Sequence, residues 1–339
     1  MNPVKGAEPL PEFSIKKTAV TWGRLILPPQ KINTSLEKNM KKNISENFLR
    51  TAKQIIKVAG LVILVLIFSL CDLFKNKSVN NGSDLPDPVD PGPIGTLDSL
   101  SLKILFIGNS LTYYSAQPHL FWNMANSAGK KLYVDQATIP GARMLDHLGS
   151  DFTRKKIPLQ KWDLVILQEA IDAIAFSENH EEVIARLQQM KTLILENYSG
   201  TRIAYFLPWS LKQGYQRGFQ SYNFETFQTM LRDGTVAVSK KMDFMVAPIG
   251  WAWYKVIMER PDIQLYDIDG SHPSFMGSYL GACVYYVLIF QESVVDNPFR
   301  VLINKDHANY LQETATRTVM DSLSYWNVPP RKIPDHSMD

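Results

Sequence analysis

Three residues of this chain, in two short blocks, have the side chains needed to open a carbonyl by covalent catalysis. Ser110 stands in Lys-Ile-Leu-Phe-Ile-Gly-Asn-Ser-Leu-Thr, residues 103–112, directly after four apolar residues and a glycine. Asp269 and His272 stand in Asp-Ile-Asp-Gly-Ser-His-Pro-Ser, residues 267–274, and His272 is one of only six histidines. A hydroxyl becomes a strong nucleophile when an imidazole takes its proton. The imidazole keeps the working tautomer when a carboxylate binds its other nitrogen. Taken alone, each block has a plainer account. A serine after a strand commonly caps the following helix, and an aspartate three residues before a histidine can cap a turn beside a surface histidine.

What separates the two accounts is where the chain places these residues. Ile104 to Ile107 form a run short enough for a buried strand, which Gly108 breaks before a segment able to start a helix. Ser110 is therefore expected at the carboxyl end of a strand. In an open parallel sheet that end is where ligands bind, because the next helix points its free N–H groups there. Further strands are expected at 131–137, 163–167, 202–207 and 243–247, and helices at 118–128, 181–197, 224–241, 273–290 and 307–326. Alternation of this kind implies crossover units and a parallel sheet covered on both faces, an α/β domain of three layers over residues 102–328. Pro273 suits the first turn of a helix, so His272 is expected just before one.

Together, Gly-Asn-Ser-Leu after the first strand and Asp-x-x-His-Pro before the last helices resemble the SGNH/GDSL hydrolase superfamily, over residues 102–325. The resemblance implies a flavodoxin-like α/β/α fold with five parallel strands. It makes Ser110 the nucleophile, His272 the general base and then acid, and Asp269 its orienting partner. It also implies an oxyanion hole from the Ser110 N–H, the N–H of Gly141 in Thr-Ile-Pro-Gly-Ala-Arg, and an amide side chain after the third strand. At that third position the family carries asparagine, whereas this chain reads Val-Ile-Leu-Gln-Glu, so the longer amide of Gln168 is the expected donor. Asn109 replaces the usual aspartate. This branch resembles uncharacterised bacterial SGNH-like proteins that read Leu-Gln-Glu.

Asn109, Glu169 and Trp209 are the candidate pocket residues. Trp209 opens a stretch dense in aromatics, with Tyr215, Phe219, Tyr222 and Phe224. Flat amphipathic rings suit sugar faces, although they also serve as packing. The expected activity is a serine esterase acting on O-acyl esters, acetyl among them, on a small molecule or a glycan. It calls for no metal and no cofactor. Two other readings stand beside it: a lipid or thioester hydrolase, and a glycan-binding surface protein with a weakened site.

The chain has 339 residues, 45% hydrophobic and 20% charged, ample for a packed core. Its net charge of +3 hides an asymmetry: 13 of 36 Lys and Arg but five of 33 Asp and Glu lie in the first 80 residues. The remainder is mildly acidic, which argues against a nucleic-acid partner. Of two cysteines, Cys283 lies in an apolar run and reads as a small buried hydrophobe, so neither a disulfide framework nor a zinc pattern is available.

Residues 1–39 show no sustained periodicity and are left without a fold; with Met40 opening Met-Lys-Lys, they read as an over-called start. The basic segment from Met40 and the apolar stretch 58–70 have the proportions of a secretory signal. Phe68-Ser69-Leu70-Cys71 resembles a bacterial lipobox, in which Cys71 would be lipidated, although Leu70 stands where a small residue is usual. An uncleaved anchor and a buried core helix are the alternatives. The first two routes attach the chain to a membrane, facing periplasm or exterior. Residues 72–101, rich in Asn, Asp and Pro, are expected to be a disordered tether, and 329–339 a tail.

Overall fold

The structure, a computed structural model, describes residues 85–330. The expectations for residues 1–39, for the leader at 40–71 with Cys71, for 72–84 and for the end of the tail fall outside it.

The chain enters through a two-residue strand, β1 (Ile94–Gly95), and then alternates strand and helix. Strand β2 (Leu102–Gly108) leads through one helical turn, α1 (Ser110–Tyr113), into α2 (Gln117–Ser127) and β3 (Leu132–Thr138). Two short helices, α3 (Met144–Gly149) and α4 (Asp151–Lys156), connect to β4 (Leu164–Leu167). After it come α5 (Ile171–Ala175), α6 (His180–Asn197) and β5 (Arg202–Phe206). A hairpin of β6 (Tyr215–Arg217) and β7 (Gln220–Tyr222) precedes α7 (Phe224–Met242) and β8 (Met245–Ala247). Helices α8 (Ile249–Glu259), α9 (Phe275–Phe290) and α10 (Lys305–Met320) end the fold.

The main sheet runs β1-β3-β2-β4-β5-β8, and all its pairs are parallel except β1 with β3. The five expected strands are there, in the flavodoxin-like order, and a sixth short antiparallel strand joins them. Chain direction across the sheet reverses at β2, so the crevice at its carboxyl end is the topological switch point. Ile104, Leu105, Phe106 and Ile107 of β2 are all fully buried, as a strand covered on both faces requires. Helix α9 is apolar all round and is buried from Gly277 to Leu288. Its Tyr285 ring meets Phe106 of β2 edge-on at 5.2 Å and Phe206 of β5 at 6.4 Å, so α9 lies across the middle of the sheet. Its amino end follows His272 directly, and that placement carries the imidazole toward β2.

Two expectations need correction. The segment up to 101 is ordered from 85 onward. Val89 exchanges two bonds of 2.8 Å with Thr138, from its N–H to the carbonyl and from the Thr138 hydroxyl to its own carbonyl. Lys156 joins Asp90 at 2.9 Å to the buried Asp135 at 2.8 Å. Burial opposes the Lys156 charge, but the two carboxylates outweigh it and its pKa is raised. An extended Pro-rich segment cannot build its own core, yet it can pair with an existing strand edge. The last helix stops at Met320 rather than 326, the chain continuing in turns. Residues 249–259, to which the sequence pattern assigns no element, form a helix with Pro248 at its N-cap, ahead of the N–H groups that the helix uses.

Candidate active site

Ser110, the candidate nucleophile, sits on a tight turn out of β2. Asn109 is the N-cap of α1, and its Oδ1 accepts from the Leu111 N–H at 3.1 Å. Ser110 is the first residue of that helix, so its own N–H has no intrahelical acceptor. Glycine is needed at 108, since a Cβ there would lie 2.4 Å from Thr112 Oγ1 and 2.7 Å from Gln168 Oε1.

Those two neighbours show what Gln168 does. Its Oε1 accepts from the Asn109 N–H at 2.7 Å and the Thr112 hydroxyl at 3.0 Å, while its Nε2 donates to the Glu169 carbonyl at 2.7 Å. The side chain is 1% exposed. The expectation that its amide donates to an oxyanion is therefore corrected: the longer arm reaches across to the backbone of the turn and braces the serine from behind.

Asn109 and Glu169, expected in the pocket, are also structural. Asn109 is buried, and its Nδ2 donates to the Ala142 carbonyl at 3.0 Å, tying the turn to the loop that carries Gly141. An aspartate in the same pose would offer no proton for that bond, which is a physical reason for the asparagine. Glu169 is buried and accepts from the N–H groups of Ala170 at 2.8 Å and Met144 at 3.2 Å. Burial raises its pKa, and those N–H bonds together with Arg143 pull the other way without cancelling it.

The histidine arrives on a turn closed by the Asp267 N–H on the His272 carbonyl at 2.9 Å and the Gly270 N–H on the Asp267 carbonyl at 3.1 Å. Asp269 Oδ1 accepts from the N–H groups of Ser271 and His272, both at 2.9 Å. Its other oxygen, Oδ2, lies 2.5 Å from His272 Nδ1. His272 Nε2 lies 2.9 Å from Ser110 Oγ. A carboxylate on Nδ1 fixes the proton there and turns the Nε2 lone pair toward the serine hydroxyl. The His272 bond, then the backbone N–H of Ser271, lower the Asp269 pKa to about 2, so this carboxyl stays charged across the physiological range.

Trp209 stands behind this turn rather than in the pocket. It is 1% exposed, stacks on Trp253 at 4.1 Å, and donates from Nε1 to the Ser271 carbonyl at 2.9 Å. The Lys212 N–H on the Gly270 carbonyl, at 2.9 Å, adds a second tie from the loop after β5.

Two backbone donors remain for a developing negative charge. Among the described residues, neither the Ser110 N–H nor the Gly141 N–H has a hydrogen-bond acceptor. Gly141 is exposed and has φ +69°, a left-handed conformation that favours glycine. Its loop is held against β2 by the Ile139 N–H on the Gly108 carbonyl at 3.1 Å.

Sequence reasoning passed over His147 and Thr112. His147 is fully buried beneath the turn, with Nε2 3.2 Å from the Gly108 carbonyl and Nδ1 2.8 Å from the Thr153 hydroxyl. Desolvation lowers its pKa to about 4 against the smaller opposing pull of the Gly108 carbonyl, so the ring is neutral and donates from Nε2. No spacing signal marks a histidine whose partners lie on other elements. Among the described residues, no cluster of three or more His, Cys, Asp or Glu is arranged to hold a metal ion. A surface cavity lined by Lys191, Arg202, Phe244 and Asn327 lies at the amino ends of β5 and β8, away from the triad.

Serine, histidine and aspartate thus meet at the switch point of a three-layer α/β/α fold. No family model and no curated protein matches the chain. Among solved structures, a DUF4886 family protein from Bacteroides uniformis is similar at a TM-score of 0.58 and 18% identity, covering 65% of this chain and 95% of that one. A Slackia heliotrinireducens protein assigned to the SGNH hydrolases is similar at a TM-score of 0.44 and 20% identity, covering 55% of this chain and 97% of its own. A catalytic mutant of Axe2, an acetylxylan esterase from Geobacillus stearothermophilus, is similar at a TM-score of 0.40 and 17% identity, over 54% of this chain and 92% of that one. At such identities the first likeness speaks for the fold and the other two add no argument; the chemistry rests on the geometry above.

Proposed function

We propose that this protein is a serine esterase that hydrolyses O-acyl esters, with small acyl groups on carbohydrate hydroxyls as its substrate class and a tethered position at the cell envelope. One observation carries the chemistry: Ser110 Oγ, His272 and Asp269 form a continuous relay of 2.9 and 2.5 Å beside two unpaired backbone N–H groups. Ser110 Oγ attacks the ester carbonyl while His272 Nε2 takes its proton, and the N–H groups of Ser110 and Gly141 receive the oxyanion. His272 returns that proton to the leaving alcohol, which departs as the carbonyl reforms on an acyl-serine. Water then attacks the acyl-serine, giving its proton to His272, which passes it back to Ser110 as the acid leaves.

The carbohydrate reading is supported by the β6–β7 hairpin, which follows β5 at the same sheet edge as Ser110 and presents a fully exposed Phe219. The envelope reading is supported by the leader-like sequence at 40–71. One observation favours a second reading, a glycan-binding surface protein with weak turnover. Gln168 is committed to the turn, so a donor worth about 10² to 10³ in rate is missing from the expected set. Both are tested by incubating the protein with a fluorophosphonate probe and with acetylated xylo-oligosaccharides, p-nitrophenyl acetate and long-chain esters. Labelling at Ser110 with release of acetate supports the esterase. An unlabelled serine in a folded protein overturns it.

A further inference from the structure

Directly after α1 the backbone does something unusual. Ser115 and Ala116 both hold left-handed conformations, with φ of 52° and 55°. Two consecutive residues with side chains in that region are rare and persist only where surrounding contacts over-determine them. Here the contacts lead to the histidine turn and to the helix that follows it. The Ser115 hydroxyl donates to the Pro273 carbonyl at 3.1 Å, and the Ser278 hydroxyl of α9 donates to the Tyr114 carbonyl at 3.0 Å. The Tyr114 hydroxyl donates to Asp267 Oδ2 at 2.8 Å. The kink thus turns Tyr114 onto the catalytic turn, where its ring lies against the His272 imidazole, centroids 4.5 Å apart and planes 19° from parallel.

We propose that Tyr114 is a positioning residue for the reaction: its ring holds the His272 imidazole facing Ser110 and stabilises the imidazolium that forms when the serine is deprotonated. The inference rests on the reading of His272 as general base. A side-chain imidazole can swing about two torsions, and Asp269 restrains only the Nδ1 edge. A ring stacked on the face removes the remaining freedom, so that Nε2 stays on the line to Ser110 Oγ. The face of an aromatic ring also carries negative potential and attracts a cation placed over it. A hydroxyl that donates to a carboxylate makes its ring more electron-rich, which strengthens that attraction. Asp267 favours the protonated, donating form, since the bond to its carboxylate raises the Tyr114 pKa above the usual phenol value. One side chain therefore links the two strands of the turn that bears both Asp269 and His272.

The test compares Tyr114→Leu and Tyr114→Phe with the wild-type chain. On p-nitrophenyl acetate, the leucine variant is expected to lose roughly three- to thirtyfold in kcat with KM changed less than about twofold. The phenylalanine variant, which keeps the ring and loses the tether, is expected to recover most of that loss. A second readout needs no turnover. In the wild type, the His272 ring protons, assigned by their absence in His272→Gln, are expected upfield because they sit over the tyrosine face. They should stay upfield in the phenylalanine variant and move downfield in the leucine variant. A leucine variant with wild-type kcat, a loss confined to KM, or His272 signals unmoved by the substitution would overturn the proposal. Failure of the wild type to label at Ser110 or to hydrolyse any ester would instead sink the esterase reading, while the ring-current shift still decides the stack.

Discussion

Acidification to about pH 4 is expected to remove roughly 3 kcal/mol of stability through one side chain that touches no substrate, His147. Burial drives its pKa from the ordinary 6.5 to about 4. In the unfolded chain the same imidazole titrates near its ordinary value, so between these limits the unfolded state binds the extra proton and the folded state does not. The contribution is complete above 6.5, shrinks as pH falls through the window, and stops changing below about 4. At about 1.36 kcal/mol per decade of proton affinity the full loss is roughly 3 kcal/mol, equivalent to about 6–12 °C in Tm for a domain of this size. The assay is urea unfolding followed by tryptophan fluorescence across this range, on the wild type and His147→Gln. Taking the difference between the two removes the other titrating groups. Asp269, held to about 2, loses its contribution only below the ordinary 3.8. Glu169, whose pKa is raised, works in the opposite sense and loses stability as pH rises. The glutamine variant is expected to show a flatter acid limb than the wild type. Parallel curves for the two proteins would refute the reasoning. Protonation adds a proton at Nδ1, which in the neutral ring accepts from the Thr153 hydroxyl, and puts a charge in the buried space beneath the serine turn, so it should also cost esterase activity at acid pH, reversibly.

Ser110→Ala is expected to lower ester hydrolysis by roughly 10⁴ to 10⁶ with an unchanged Tm, and retained activity would place the nucleophile elsewhere. Asp269→Asn, measured by kcat on the same ester, should cost about 10⁴, since an amide can turn its donor to Nδ1 and favour the wrong tautomer. Gln168→Ala leaves the Asn109 N–H and the Thr112 hydroxyl without acceptors in a buried space, an expected loss of about 1–3 kcal/mol read by urea unfolding. If that variant kept its stability and lost only kcat, Gln168 would be an oxyanion donor after all. Lys156→Met strands the buried Asp135 and should destabilise the fold by about 3–5 kcal/mol, with the Asp135→Asn change on the same chain returning much of it.

The parts of the molecule that were legible in advance share one property: their identity is set locally. Ile104 to Ile107 make a strand in any covered sheet, and residues 181–197 repeat their apolar positions at helical spacing, so the sheet and its long helices follow from pattern alone. Ser110, Asp269 and His272 stand apart from this: local pattern gave each a plainer account, the resemblance of their two blocks to the SGNH/GDSL pattern joined them, and the fold brings the three side chains into hydrogen-bonding reach. Gln168, Asn109, Glu169 and Trp209 were misplaced for the opposite reason. Each lies at the correct sheet edge, but whether a side chain there turns toward substrate or toward a neighbouring backbone depends on acceptors on other elements, such as the Ala142 and Ser271 carbonyls. The β6–β7 hairpin was read only as an aromatic cluster, although Gly218, with φ +57°, marks its tight turn. The β1 strand, two residues long, is too short for any periodicity to register.

That short strand has a practical consequence. Pairing of β1 and the Val89 bridge close the free side of β3, whose N–H and C=O groups would otherwise stand open to solvent. A recombinant fragment cut at the sequence-derived domain start, residue 102, would lack this cover and take Asp90 away from Lys156. Exposed strand margins recruit other chains, so such a fragment should precipitate or self-associate where one beginning at 85 stays monodisperse. The amino-terminal strap is in this sense a solubility device, and cloning limits for the protein belong upstream of it.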